Sequence, residues 1–482
     1  MDMMYDVLIV GAGVIGGMLA RQLSRYRLQV CLLEKENDVA MGASKANSGI
    51  IHGGYDPIPG TLKAELNTAG VEPLFAAAAQ LQVPCKRNGS MVCAFSAGEE
   101  ATLRELFAQG EKNNIPGLEL LTGDQARALE PHLSKAVTGV LRVTNAGIVS
   151  PYELTVAAVG NAMDNGVELR RSFRVTAVSR ENGLFQVTSQ TGETLRGKFL
   201  VNCAGGESDR VAKLAGDGFF TIIPRAGEYM LLDKAEGFRA NHTLFQCPTE
   251  EGKGILVTPT VHGNLLVGPN AGKVATADSR DTTPEGLRQV TTLAAKTVPS
   301  VNFRQVITSF TGVRSSEKNG DFIIKISDTV PGLIHAAAID SPGLTCCVSI
   351  AERLTKLLGE AGLPLWEKEN WNGSRQGIVP FRELPLEEKA KRIQEDPAFG
   401  RIVCRCEEIT EGEILQAIHQ NPGATDLDGI KRRTRSSMGR CQGGFCSPYI
   451  MQLLSRELGI PMERVTKNGE GSELLEGRIG EV

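Results

Sequence analysis

Blocks of apolar residues punctuated by glycine set the first elements of this chain. Asp6-Val-Leu-Ile-Val10 is a short apolar run of the kind a buried strand requires. Gly11-Ala-Gly13-Val-Ile-Gly16 interrupts it, a helix is predicted from Val14 to about Tyr26, and Gln29-Val-Cys-Leu-Leu-Glu34 reads as a second strand. Alanine and leucine at helical spacing predict a helix from Leu62 to Gln80, and Glu99 to Lys112 is a second helical stretch. Gly89 to Ala94 reads as a strand between them. Pro151 to Asn165 predicts a helix, and Gly166 to Arg170, Phe173 to Val187 and Phe199 to Ala204 predict strands. A glycine-opened helix follows over Gly205 to Gly216, and from Phe219 to about Phe322 strand signals dominate. Leu333 to Ile339 is a further buried strand, and Cys346 to Leu358 an apolar helix. Pro364 to Asp396 carries many prolines and charges with little periodicity and reads as a linker or embracing arm. A last unit begins near Ile402 and ends in an amphipathic helix from Pro448 to Leu458; the Gly- and Glu-rich tail beyond Val465 is predicted to be poorly ordered.

The glycines of the first turn have a chemical reading. Strand, Gly11, Gly13, Gly16, helix, strand and a terminal acid occur in the order that lets backbone approach a pyrophosphate and aim helix N–H groups at it. Glu34 stands eighteen residues after Gly16, where a carboxylate can accept from an adenosine ribose, and no arginine replaces it to favour a 2′-phosphate. The competing reading is a tight turn with no ligand. Met41 to Asp56 follows as a run of small residues able to lie against a flat ligand.

A chain of 482 residues is too long for one ordinary core, so two or three domains are expected. A formal charge of −4 argues against nucleic acid or an anionic membrane surface as partner. No apolar run approaches the roughly 18 residues that span a bilayer, and Met1 leads almost directly into the first strand, so a cytoplasmic location is expected. Eleven cysteines in that setting are not expected to be a disulfide framework. Seven, from Cys31 to Cys347, lie in apolar surroundings and read as core residues, whereas Cys404, Cys406, Cys441 and Cys446 form two close pairs.

Four thiolates so spaced can hold a zinc ion or an iron–sulfur cluster, or remain unliganded. One residue between Cys404 and Cys406 is short for common zinc knuckles, and a cluster would give a redox enzyme a one-electron exit. Lys431-Arg-Arg-Thr-Arg435, just before the second pair, can offset a negative cluster, dock an acidic redox partner, or simply form a solvated helix face.

These motifs resemble the FAD-dependent oxidoreductases of the D-amino-acid-oxidase type, and within them the glycerol-3-phosphate dehydrogenases and oxidases and the L-2-hydroxyglutarate dehydrogenases. The likeness rests on Gly11 to Gly16, Asn47-Ser-Gly-Ile-Ile-His-Gly53, Gly60-Thr-Leu-Lys63, Pro224-Arg-Ala-Gly-Glu-Tyr229, Thr311-Gly-Val-Arg314 and Ser341-Pro-Gly-Leu-Thr345. Cys404-Arg-Cys406 with Arg440-Cys-Gln-Gly-Gly-Phe-Cys446 resembles the bacterioferritin-associated-ferredoxin-like domain that binds [2Fe-2S], a module fused to anaerobic glycerol-3-phosphate dehydrogenase large subunits. The resemblance implies an α/β protein. Its Rossmann-like FAD-binding domain would span 1–82, 150–216 and 330–365, with an inserted α+β antiparallel-sheet substrate domain over 83–149 and 217–329. An arm over 366–400, a small helical [2Fe-2S] domain over 401–460 and a tail over 461–482 complete the expectation.

Oxidising a secondary alcohol requires hydride transfer to the flavin while a base takes the hydroxyl proton. His52, among the small residues expected to line the flavin, is the candidate base; its bland reading is a histidine that only hydrogen-bonds backbone. Arg314 is the candidate grip on a phosphate or carboxylate. Lys253, between glycines, resembles a site lysine of the oxidase branch; Arg225 and Lys63 are further cations that read equally well as structural ion pairs. Gly11, Gly13, Gly16 and Glu34 are expected at the adenosine end of a noncovalent FAD, and Ser48, Gly205, Gly343, Leu344 and Thr345 near its isoalloxazine or ribityl portion. The implied reaction converts sn-glycerol 3-phosphate to dihydroxyacetone phosphate, with electrons leaving through [2Fe-2S] to a protein acceptor, for which a second flavoprotein subunit is one candidate. The alternatives are oxidation of L-2-hydroxyglutarate or another 2-hydroxyacid, direct oxidation by oxygen, or a non-catalytic FAD and iron–sulfur electron-transfer subunit.

Overall fold

The strand Met4–Val10 lies inside the first of two large sheets, and the reason is visible in its side chains. Val7 and Ile9 enter one apolar cluster while Leu8 and Val10 enter another on the opposite face, so both faces are covered and the run needs no polar alternation. A computed structural model describes residues 4–248 and 254–477 of the chain. Met4–Val10 pairs in parallel with Val30–Leu33 on one edge and Thr194–Asn202 on the other. Val30–Leu33 continues to Glu168–Arg170, while Thr194–Asn202 takes Leu184–Ser189 along its first half and Leu333–Ala337, in parallel, along its last residues. Val10, Leu33, Asn202 and Ala337 therefore end near one edge, the place where open parallel sheets present ligand-binding loops.

Helices Val14–Leu23, Pro151–Asp164 and Cys347–Glu360 pack on one face of this sheet, and helix Leu62–Gln80 lies against the last of them. The first helix stops at Leu23, before the expected Tyr26, because its following residues pair with the arm: Arg27 N–H donates to Trp366 O and Lys368 N–H to Arg25 O.

The second sheet, nine-stranded among the described residues, runs from Gly272–Lys273 through Ile223–Leu232, Leu265–Gly268, Leu256–Pro259, Thr243–Gln246, Ser90–Ala94 and Gly139–Val143 to Leu118–Thr122. The eleven-residue strand Val306–Ser316 lies along Ile223–Leu232. One pair departs from the expected antiparallel order: Thr243–Gln246 is parallel to Ser90–Ala94, where two distant chain segments meet. The strand-dominated expectation for this region also passes over helix Pro284–Thr297, whose Val290 and Ala294 enter the sheet's core. Thr283 at its N-cap and Pro284 at its first position are the start signals that the surrounding β runs obscured.

The stretch predicted as an arm crosses the first domain. Trp371 Nε1 donates to Ser24 Oγ at 3.0 Å, and Arg25 lies over its ring. It also contains a helix, Leu386–Glu395, that buries no side chain; its short apolar set, Leu386, Ala390 and Ile393, is outnumbered by charged residues. The final unit has its own core of Ile409, Ile414, Ile430, Ile450 and Leu454. Its tail is tied down as far as it is described, contrary to expectation: Leu427 and Asp428 N–H groups donate to Thr466 and Lys467 carbonyls.

The basic run Lys431 to Arg435 is neither a solvated face nor an exposed docking surface. Arg432 and Arg435 are buried, Arg432 and Arg433 grip Asp38, and Arg435 reaches Glu407. Burial enforced these pairings, since an unpaired guanidinium between two packed units is costly.

Candidate active site and cluster site

The turn after Met4–Val10 leaves no room for side chains. Gly11 has φ +105°, and a Cβ there would lie 2.4 Å from the Cys203 carbonyl oxygen; a Cβ at Gly16 would lie 1.9 Å from Gly11 O. The result is close helix-to-strand packing with backbone facing the crevice. Ser44 Oγ accepts from Val14 N–H at 2.9 Å, and a Cβ on Gly13 would meet the same hydroxyl at 3.1 Å. The helix it caps has no acid in its first turn, so its positive end stays available to an anion. Beside it Lys45 is half-buried, with Met41 Sδ at 3.7 Å; desolvation, reinforced by Arg432 and Arg280, pushes its ammonium down to about 8. A half-buried cation beside an uncompensated helix N-terminus fits a pyrophosphate. Glu34 is buried at the end of Val30–Leu33, where its carboxylate accepts from Ala12 N–H at 2.8 Å and Glu36 N–H at 3.0 Å. Burial pushes it up to about 7 despite those donors. The residues present thus fit an adenine dinucleotide.

Further along the crevice the small-residue segment brings His52 to a buried position. Its backbone is pinned on both sides: His52 N–H donates to Thr345 Oγ1 at 2.8 Å, and Asn67 Nδ2 donates to His52 O at 2.9 Å. Ser341 Oγ lies 3.4 Å from Nε2, Asp56 Oδ1 lies 4.0 Å from Nδ1, and the ring faces Phe245 of the second sheet at 5.7 Å. Residues 293 positions apart therefore meet at one imidazole. Ser48 Oγ is 3.3 Å from Tyr229 Oη, whose ring stacks on Phe310. Gly343 N–H closes a turn onto Asp340 O at 2.6 Å, and Leu344 O accepts from Cys347 N–H at 3.3 Å.

Arg314 sits opposite Arg225 in the paired strands Val306–Ser316 and Ile223–Leu232. Its guanidinium makes two long contacts, to Ala226 O at 3.5 Å and Asn270 O at 3.3 Å. Two residues earlier, a Cβ on Gly312 would lie 1.9 Å from Ala46 O, so this strand is pressed against the small-residue segment. Gly205, with φ +55°, opens a short 3₁₀ turn whose nearest side chain from that strand is Ser315. Lys63 is an ion pair with Asp340 at 2.6 Å and lies over the Phe322 ring. Lys253 lies outside the described residues.

Sequence reasoning passed over Ser341, Asn67, Tyr229 and Asp56 as individual residues. Ser341 and Tyr229 were inside recognised motifs. Asn67 carried its own signal, a polar side chain on the apolar side of a helix, where it is fully buried.

The four C-terminal cysteines line one cavity of about 220 Å³ together with Arg405 and Phe445. They meet as two pairs. Cys406 and Cys441 sulfurs are 3.6 Å apart, and the Cys404 and Cys446 thiols are hydrogen-bonded to each other. Among the described residues no three His, Cys, Asp or Glu side chains converge on one metal position. Four cysteine sulfurs around one cavity are a donor set that would suit a zinc ion or an iron–sulfur cluster. The Gly443, Gly444 and Phe445 N–H groups point at Cys441, and Ser437 Oγ lies 3.3 Å from Cys446 Sγ, donors suited to cluster sulfur.

No helix of the described residues is long and apolar enough to cross a membrane. Over its length the chain is 43% identical to a glycerol 3-phosphate dehydrogenase of Caloramator mitchellensis, the match covering 98% of each chain. It is similar to the dithionite-reduced L-α-glycerophosphate oxidase of Mycoplasma pneumoniae with FAD bound, at 32% identity and a TM-score of 0.74, over 77% of this chain and 98% of that one. An L-2-hydroxyglutarate dehydrogenase of Escherichia coli is 33% identical over 56% of this chain and 64% of its own. Residues 402–456 match the BFD-like [2Fe-2S] binding domain, so the bound groups are FAD and [2Fe-2S]. With residues 6–357 matching the FAD dependent oxidoreductase model, on a crevice shaped for that dinucleotide, the chain belongs to the FAD-dependent oxidoreductase family.

Proposed function

We propose that this enzyme oxidises sn-glycerol 3-phosphate to dihydroxyacetone phosphate and delivers the electrons singly to a protein acceptor. The likeness to a glycerol 3-phosphate dehydrogenase across both the flavin and cluster parts carries the reading, because the L-2-hydroxyglutarate relative matches little more than half the chain. When bound, FAD supplies the hydride acceptor and [2Fe-2S] the one-electron relay.

The chain's own residues divide the remaining work. His52 takes the hydroxyl proton at Nε2; Asp56 faces Nδ1 and favours the tautomer that leaves Nε2 as acceptor, and Ser341 holds the ring edge. Thr345 and Asn67 fix the His52 backbone, so the imidazole is positioned without being used up. Arg314, with Lys253, binds the phosphate; its weak carbonyl contacts leave its donors free to exchange for a stronger acceptor. Gly11, Gly13, Gly16 and Glu34 hold the adenosine end of FAD, with Ser48, Gly205, Gly343, Leu344 and Thr345 around the remainder. Cys404, Cys406, Cys441 and Cys446 ligate the cluster. The 1–82, 150–216 and 330–365 segments act as the FAD-binding domain, and the enzyme works in the cytoplasm.

Anaerobic mixing with glycerol 3-phosphate, L-2-hydroxyglutarate and lactate tests the proposal. Glycerol 3-phosphate should bleach the flavin fastest and then reduce the cluster. Preferential bleaching by L-2-hydroxyglutarate would transfer the assignment to that acid, and no bleaching by any compound would reduce the chain to an electron-transfer subunit.

A further inference from the structure

We propose that Tyr152 and Met438 form the bridge over which electrons pass, one at a time, from the flavin crevice to the cluster, a proposal that rests on the outward electron route above. The bridge starts at the segment that carries Ser48 and His52. Ile50 and Ile51 pair antiparallel with Ile148 and Gly147, Val149 N–H donates to Gly49 O at 2.8 Å, and a Cβ on Gly49 would lie 3.4 Å from Pro151 Cδ. Tyr152 comes next in the chain, at the second position of helix Pro151–Asp164, and its side chain reaches out of the first domain: Oη donates to Met438 Sδ at 3.6 Å. Met438 stands between two residues that touch cluster ligands. Ser437 Oγ lies 3.3 Å from Cys446 Sγ, and a Cβ on Gly439 would lie 2.3 Å from Cys406 Cβ. Two side chains in contact thus join the wall of the crevice to the loop that holds the cysteines.

The phenol is held in place by a third residue. Arg435, buried and with φ +66°, donates from Nη1 to Tyr152 Oη at 3.0 Å and from Nη2 to Asn264 Oδ1 at 3.1 Å. With Arg435 occupying the oxygen as donor, the phenol hydrogen is left for the sulfur. Burial raises the Tyr152 phenol above its ordinary range, and Arg435 only partly offsets it, so the hydroxyl keeps its proton. Electron tunnelling weakens steeply across empty gaps and far less through bonded and packed atoms, and a polarizable thioether beside a phenol leaves no such gap. The other side-chain hydrogen bonds that join 436–446 to the two large sheets' domains, among the described residues, run from Arg440 to Asp233 and Gln305, beyond the end of strand Ile223–Leu232. Each alcohol oxidised gives the flavin two electrons and one proton as hydride, its hydroxyl proton going to His52. The electrons cross singly, the cluster handing the first to the acceptor before taking the second, and both protons pass to water.

The test uses the full holoenzyme as wild type, M438A, M438L and Y152F, with flavin and cluster absorbance followed separately and hydrogen exchange measured over 427–435. One arm mixes the protein with glycerol 3-phosphate; the other reduces bound FAD by a light flash with EDTA as electron donor and needs no substrate. Cluster reduction after the flash with no response to glycerol 3-phosphate would strike the substrate assignment and leave the bridge standing. M438A, which opens a gap beside the phenol while keeping the Tyr152–Arg435 contact, should slow cluster reduction about tenfold. M438L refills the gap and should recover most of the rate, and Y152F, which removes only the hydroxyl, should slow it severalfold. Flavin reduction, cluster absorbance and exchange over 427–435 should stay as in wild type. Wild-type cluster reduction in both M438A and Y152F would overturn the proposal. So would slowing that appears only together with faster exchange over 427–435, which would make the pair a docking clamp. Should M438A lose its cluster colour, Y152F, which leaves the cluster loop unaltered, decides between these outcomes.

Discussion

Asp38 accepts hydrogen bonds from Arg432 at 2.6 Å and from both terminal nitrogens of Arg433 at 2.8 Å, joining positions nearly four hundred residues apart. All three side chains are buried. The pairing fixes the cluster-bearing unit against the loop that follows the strand Val30–Leu33, and Glu407, held by Lys234 and Arg435, fixes it against the second sheet.

Replacing Asp38→Asn should loosen that attachment. Removing one member of a buried ion pair costs about 3–5 kcal/mol because the guanidinium groups stay buried and uncompensated. Hydrogen exchange in 427–434 should accelerate, and cluster reduction after mixing with substrate should slow while flavin bleaching keeps its rate. Burial alone would raise the Asp38 carboxyl, but Arg433 and Arg432 outweigh it and hold it well below the usual carboxylate range. With the folded value depressed, the stabilisation is present above the ordinary carboxylate range of about 4 and is lost as pH falls through the depressed value. Wild type and D38N should therefore converge in stability in acid, as calorimetry across pH would show.

His52→Gln should lower the flavin-bleaching rate by about a hundredfold or more, the ordinary contribution of a positioned base, with FAD retained. Thr345→Val should act through the same imidazole, because it leaves the buried His52 N–H without its acceptor at a cost of about 1–3 kcal/mol. Stopped-flow bleaching against substrate concentration distinguishes the two from loss of flavin.

Arg314→Lys preserves charge but removes the planar fork, so KM for glycerol 3-phosphate should rise about tenfold. An unaltered KM would remove Arg314 from the substrate site and leave it as a strand-to-strand contact.

Glu34, pushed up to about 7 by burial, should make FAD binding pH-dependent. The folded apoprotein holds a proton there between about 4.5 and 7 that the unfolded chain has lost, so this group's contribution to apoprotein stability declines as pH rises through that window. Ribose hydroxyls donating to Glu34 favour its charged form, so binding should release a proton and tighten with pH up to about 7. Titration calorimetry in buffers of different ionisation enthalpy measures that release, and Glu34→Gln should abolish it.

Much of the crevice was legible in the chain itself. Gly11 and Gly16 are required by local backbone geometry, Glu34 by its distance from them, and the grouping of the four cysteines by their spacing along the chain, whereas their partners in space, Cys406 with Cys441 and Cys404 with Cys446, came from the packing of two distant segments. Helix Leu62–Gln80 ends where its pattern ends. Helix Leu386–Glu395 escaped because its three apolar positions are set among charges in a proline-rich stretch, and helix Pro284–Thr297 because its neighbours are strands.

What only the tertiary structure decided is which distant groups neutralise one another. The charge on Lys431 to Arg435 was visible, but whether it faced water or Asp38 and Glu407 depended on how two separately folded units were packed. Likewise the sequence supplied His52 and Thr345, and the meeting of one N–H with one hydroxyl across 293 positions came from the sheet that carries both. Local pattern specifies conformation and ligand chemistry over a few residues; desolvation and pairing are properties of surfaces that exist once those elements have packed.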